Sequence, residues 1–134
     1  MNVVDSSAWL AWFTDGADAD SFAAVIEETD LLVVPSICIL EVFRFIRRER
    51  GEDAALEAVS LMQRGSVVDL DATLAMDSAE IGLTEGLAMA DAIIYATTLQ
   101  VDGTLWTQDA HFRDKAHVRY FSKGSSVQAH PEGL

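Results

Sequence analysis

The feature that most constrains this chain is an alternation. Short β-branched or aromatic runs recur along it, each followed by turn residues or by segments with helical spacing. Residues 2–5 (NVVD), 31–34 (LLVV), 66–70 (SVVDL), 104–107 (TLWT) and 118–121 (VRYF) read as strands. Residues 8–13, 19–28, 36–50, 53–63, 72–83 and 88–100 read as helices. Punctuation agrees: Ser6 or Ser7 can cap the first helix, Pro35 sits at a turn with Ser36 as the next cap, and Asp71 caps a later one. Gly51 is a natural stop, Gly86 separates two helices, and Asp102 with Gly103 makes a turn. Strands separated by helices imply an α/β fold whose parallel sheet of about five strands is covered on both faces. Right-handed crossovers then gather the C-terminal ends of all strands on one edge, where sites form at the point of strand-order reversal.

Composition removes several classes. Half of the 134 residues are hydrophobic, which no disordered chain sustains, and the length suits one domain. We expect a domain over residues 1–121 and a partly flexible tail over 122–134, where Ser, Gly and polar residues collect. Cys38 is alone, so it forms no intrachain disulfide; it reads as a small core residue in a reducing compartment. The longest apolar run, residues 31–40, contains Pro35 and Ser36 and stops at Glu41, far short of the ~20 residues that cross a bilayer. Asp5 interrupts the short N-terminal apolar run and no basic residue precedes it, so a secretory signal is not expected. The expectation is a soluble, cytoplasmic protein with no membrane contact. A net charge of −13 argues against a general nucleic-acid coat. It leaves room for an enzyme that grips nucleic acid locally through metal ions.

Four carboxylates stand out. Asp5 ends the first strand and Asp109 follows the fourth by two residues, so both lie on the functional edge. Glu41 and Asp91 lie in apolar helical segments, and a half-buried carboxylate needs a partner. Two carboxylates ~5 Å apart repel by about 3 kcal/mol at an effective dielectric of ~20, so four in one cleft require protons or cations. Hard oxygen ligands select Mg²⁺ or Mn²⁺ over zinc, and His111, His117 and His130 lack metal-ligand spacing with one another. An oxygen-only site of this kind suits phosphodiester hydrolysis, because the ion activates water near neutral pH and offsets charge at phosphorus. No side-chain nucleophile is evident.

Three segments carry a family resemblance: VVDSSAWLAWF, PSICILEVFRFI with Glu41, and LAMADAIIYATTLQVDGTLWTQDAHF with Asp91 and Asp109. In order and spacing they resemble the PIN-domain nucleases, and among them the VapC-like toxins of toxin–antitoxin pairs. The likeness spans essentially the whole chain, with Ser7 two places after Asp5 and Thr107-x-Asp109-x-x-Phe112 its most specific part. The resemblance implies a three-layer α/β/α sandwich and a Mg²⁺- or Mn²⁺-dependent endoribonuclease that leaves 5′-phosphate and 3′-hydroxyl ends. It also implies a homodimer and a cognate antitoxin that blocks the site. By position, Asp5, Glu41, Asp91 and Asp109 match the acidic quartet, Ser7 and Thr107 the supporting polar positions, and Asp114, weakly, a further acid.

Other uses of the same residues stand beside these. Asp5 can cap the first helix, Glu41 can pair with Arg44 or Arg48 on a solvated face, Asp91 can be an N-cap, and Asp109 a turn residue. Arg44, Arg47, Arg48 and Arg50 read either as a solvated face or as phosphate contacts; Arg44, three residues beyond Glu41, favours contact. Arg113 and Lys115, close after Asp109, can join it, and His111 can serve as a proton donor or be inert. Trp9, Trp12, Phe13, Phe43 and Ile46 read mostly as core, with some able to line a groove for an antitoxin helix. Two rivals remain: a phospho-acceptor signalling domain using Asp69 or Asp71 with Lys123, and a non-catalytic binding module in which the acids are structural.

Overall fold

The computed structural model describes residues 1–124. Five strands form one sheet: β1 (Asn2–Val4), β2 (Leu32–Pro35), β3 (Ser66–Val68), β4 (Thr104–Thr107) and β5 (Val118–Tyr120). Every pairing is parallel and the order is β3-β2-β1-β4-β5. Six helices connect them: α1 (Ser6–Phe13), α2 (Ala19–Glu27), α3 (Ser36–Arg50), α4 (Glu52–Met62), α5 (Ala72–Glu85) and α6 (Met89–Gln100). The chain steps one way from β1 to β3, then crosses back to β4. Right-handed crossovers therefore put α1 to α4 on one face and α5 with α6 on the other. The packing agrees, with α1 on α2 and α3, α3 on α4, and α5 on α6. This is the α/β sandwich expected, and its strand order reverses between β1 and β4.

Burial explains the elements. Val3, Val4, Val33 and Val34 are wholly or almost wholly buried, as central parallel strands require. In α6, every residue from Ala92 to Thr98 is buried, so this helix is apolar all round rather than amphipathic. Its Thr97 and Thr98 hydroxyls donate to the carbonyls of Ile93 and Ile94, at 2.8 and 3.0 Å, and so bury no unpaired group. Cys38 is buried with its thiol against the Val4 carbonyl, and burial pushes that thiol up.

Two caps differ from expectation. Asp5, not Ser6 or Ser7, is the N-cap of α1: its carboxylate accepts from the Ala8 N–H at 3.2 Å, and both serines lie inside the helix. Pro35, not Ser36, precedes α3; it closes β2 and leaves Ser36 as the first helical residue. Asp71 caps α5 as read, accepting from Leu74 N–H at 2.9 Å. Gly51 ends α3, and Gly86 ends α5 in the left-handed region at φ 70°. Gly103 serves close approach: a Cβ there would lie 2.8 Å from the Met1 carbonyl oxygen, where β4 begins beside β1. Most of the expected tail, residues 125–134, lies outside the described residues. Among the described residues no helix is long and apolar enough to cross a membrane.

Candidate metal centre

The site grows from the exit of β1. Asp5 is 3% exposed and its two carboxylate oxygens are held differently. Oδ1 accepts from the Ser7 hydroxyl at 2.7 Å and from Ala8 N–H, while Oδ2 accepts from the Thr107 hydroxyl at 2.7 Å. Each hydroxyl is itself aimed by the loop after β4. Ser7 Oγ accepts from Gln108 N–H at 3.0 Å, and Thr107 Oγ1 from Asp109 N–H at 2.8 Å. A carboxylate offers about four lone-pair sites, so roughly one remains open, on Oδ2. Burial pushes the Asp5 carboxyl up to about 6, against the pull of these hydrogen bonds.

Glu41 arrives from α3, one turn and a half into the helix. The Ser6 hydroxyl donates to its Oε1 at 2.6 Å. Asp91 is the third residue of α6, whose N-cap position is Ala88, so Asp91 is not the cap. The helix N-terminus favours its anion. Burial, and next the neighbouring Asp109 carboxylate, outweigh that and raise its carboxyl to about 6. Asp109 opens a short turn and accepts from the His111 N–H at 2.9 Å. His111 then folds its ring back: Nδ1 lies 2.9 Å from Asp109 Oδ1 and 3.3 Å from Asp91 Oδ2. One ligand atom from each of Asp91, Asp109 and His111 lies within 4.8 Å of the others.

All four acids line one cleft of about 550 Å³, with Ser6, Ser7, Leu10, Ile37, Arg44 and Arg48 among its other walls. The structure thus brings together Asp5, Glu41, Asp91, Asp109, Ser7 and Arg44, and Thr107 reaches them through Asp5. Arg113 does not line that cleft; its guanidinium stands over the Tyr120 ring, 5.9 Å from the centroid. Asp114 sits in a left-handed turn at φ 66°, also off the cleft. Lys115 is held by Glu85 at 3.1 Å. Asp69 and Asp71, the acceptors a signalling domain would need, are likewise outside it.

One contributor has no local signal in the sequence: Ser6, a cap candidate, instead donates to Glu41. His111, which the sequence offers as a proton donor or an inert loop residue, folds onto Asp109 two residues away. Trp9 and Ile46 are core, and Trp12, Phe13 and Phe43, partly buried, pack against it. Among the described residues, the three most exposed large apolar side chains, Leu83 at 84%, Met89 at 83% and Met76 at 65%, lie on α5 and α6.

The donor set fits a hard divalent ion. Carboxylate oxygens dominate it, burial chiefly raises two of the acids, Asp5 and Asp91, and the one nitrogen belongs to a side chain exposed enough to turn away.

The PIN domain family model matches residues 3–118. No curated protein matches the chain by sequence. Among solved structures, a toxin–antitoxin complex from Klebsiella pneumoniae superposes with a TM-score of 0.77 at 17% identity, covering 91% of this chain and 99% of that one. VapC20 of Mycobacterium tuberculosis, described as a sarcin-ricin loop cleaving toxin, gives 0.74 at 18%, covering 88% and 97%. DNA-bound VapBC from Salmonella typhimurium gives 0.69 at 15%, covering 90% and 96%.

Proposed function

Since the chain belongs to the PIN-domain family, we propose that it is a metal-dependent endoribonuclease toxin that hydrolyses RNA phosphodiester bonds and is held in check by a cognate antitoxin. The observation that carries this reading is the meeting of Asp5, Glu41, Asp91 and Asp109 in one cleft, at the strand-order reversal between β1 and β4. These four hold Mg²⁺ or Mn²⁺. When bound, the ion supplies an activated water and offsets charge at the phosphorus and on the leaving oxygen.

The chain's own residues do the rest. Ser7 and Thr107 fix the rotamer of Asp5, and Ser6 fixes that of Glu41, so the acids are oriented before the ion arrives. Arg44 lines the same cleft and takes a substrate phosphate, and Arg113 contributes a further phosphate contact from outside it. His111, with Nδ1 beside Asp91 and Asp109, serves as proton donor to the leaving 3′ oxygen. RNA enters as a loop or single strand, where the backbone is accessible, and leaves with 5′-phosphate and 3′-hydroxyl ends.

The protein works in the cytoplasm as a homodimer. The groove of about 420 Å³ between α5 and α6, lined by Leu83, Leu87 and Met89, supports a protein contact on that face. The decisive experiment is incubation with total RNA in Mn²⁺ or EDTA, followed by mapping of the new ends. Cleavage in Mn²⁺, lost in EDTA and in Asp91→Asn with its fold intact by circular dichroism, is expected. Equal cleavage by Asp91→Asn would sink the assignment.

A further inference from the structure

The chain carries nine Lys and Arg against 22 Asp and Glu, and eight of those nine fall in two segments, Arg44 to Arg50 and Arg113 to Lys123. The first is on α3, in the wall of the acidic cleft. The second surrounds β5. Beside it lies another cleft of about 530 Å³, lined by Ser7, Gln108, Asp109, Ala110, Tyr120 and Lys123. The two clefts share Ser7 and Asp109, so they adjoin at the edge of the acidic site.

This second cleft is built. Asp18, 7% exposed, accepts from the Gln108 side-chain amide at 2.6 Å and from Gly124 N–H at 2.7 Å. One buried carboxylate therefore ties the loop after β4 to the loop after β5, and fixes the backbone on which Lys123 stands. Tyr120 offers an aromatic surface, with the Arg113 guanidinium against its ring. Arg119 and Lys115 are turned elsewhere, onto Trp106 and Glu85. Each cleft has the volume of a small-ligand site. With Arg44 and Arg48 in the wall of the acidic cleft and Lys123 in the wall of the cleft beside it, a strongly acidic protein keeps cations next to both, the charge pattern for a polyanion laid across them.

We propose that the Tyr120–Lys123 cleft is a second nucleotide subsite of the same active site, so that one RNA strand runs past Arg44 and Arg48, over the acids, and on beside Tyr120 and Lys123. Lys123 contacts a phosphate and Tyr120 a base. The proposal rests on the ribonuclease reading and adds the substrate's path. It requires a single strand with nucleotides on both sides of the scissile bond.

Fluorescence anisotropy tests it, with a labelled single-stranded 12-nucleotide RNA and the Asp91→Asn protein in Mg²⁺ across a salt titration. Lys123→Gln is expected to weaken binding about 3- to 10-fold near 0.1 M salt and to lower the log–log salt slope by about 0.7. Lys123→Arg restores both. Tyr120→Leu is expected to weaken binding about 5-fold or more without changing the slope, because stacking releases no counterion. Arg64→Gln, at the ninth basic residue, removes the same charge away from both clefts and leaves affinity and slope unchanged. In the cleaving protein, Lys123→Gln raises KM with kcat nearly unchanged. Lys123→Gln behaving like Arg64→Gln would overturn the path while leaving the nuclease intact. So would loss of antitoxin binding with RNA binding unchanged. Absence of RNA binding and cleavage in the parent protein would overturn both readings.

Discussion

Asp5 caps α1 and receives two aimed hydroxyls on the same carboxylate, and burial still holds its proton on to about pH 6. Its folded pKa lies above the ordinary 3.8, so the folded state keeps a proton that the unfolded state has lost between about pH 4 and 6. The stability this proton confers is complete below about 3.8 and is lost as pH rises through about 6. For Asp5 that loss is on the order of 3 kcal/mol. Asp91 moves in the same direction. We expect Asp5→Asn, which keeps an acceptor for Ala8 N–H, to be more stable than the parent at pH 7.5 in EDTA. Mn²⁺ should raise the melting temperature of the parent, more at pH 7.5 than at pH 5, and that of Asp5→Asn little. Urea and thermal unfolding across pH 4–8 check this; an Asp5→Asn protein less stable than the parent in EDTA at pH 7.5 would contradict it. Thr107→Val keeps the shape but strands Asp109 N–H and removes a donor to Asp5. It should cost about 1–3 kcal/mol by urea unfolding and weaken Mn²⁺ binding by about 10- to 100-fold in calorimetry.

At the scale of elements, the site depends on how β4 lies beside β1. Val4 pairs with Trp106, and Asp5 N–H donates to the Trp106 carbonyl at 3.1 Å, so the exits of the two strands lie level. That register begins at Gly103 and the bond from Thr104 N–H to the Met1 carbonyl, 3.0 Å long. Gly103→Ala would press a methyl into that carbonyl. We expect a loss of about 1–3 kcal/mol in urea, with weaker Mn²⁺ binding although the substitution touches no acid. Unchanged stability would show that the turn yields freely. The helices contribute by where they start: α6 delivers Asp91 at its first turn, and its wholly buried body holds that turn against the sheet.

For the whole molecule, the sheet divides chemistry from association. The acidic cleft opens at the C-terminal edge, and the apolar groove lies on the face covered by α5 and α6. If that groove seats a second copy, Leu83→Glu should convert a dimer to a monomer in light scattering, while leaving thermal stability near the monomer's own value. Its side chain is already 84% in solvent, so the fold bears little cost. A parent protein that is monomeric at all concentrations, or a dimer unaffected by Leu83→Glu, would remove that face from the interface.

Much was legible in one dimension. The β-branched runs, the turn residues and the alternation with helices determined five parallel strands and the edge on which Asp5 and Asp109 meet. Acids in apolar helical segments marked Glu41 and Asp91. These signals are local, carried by periodicity and backbone preference within a few residues. Tertiary structure alone decided that Asp5 takes the cap while Ser6 turns to Glu41, 35 residues away, and that Thr107 reaches back 102 residues to Asp5. It also decided that His111 folds onto two acids and that Arg113 stands on Tyr120 outside the cleft. A hydroxyl, an imidazole or a guanidinium has several partners within reach along the chain. Which one it takes depends on what the sheet order brings beside it, and no local pattern encodes that order.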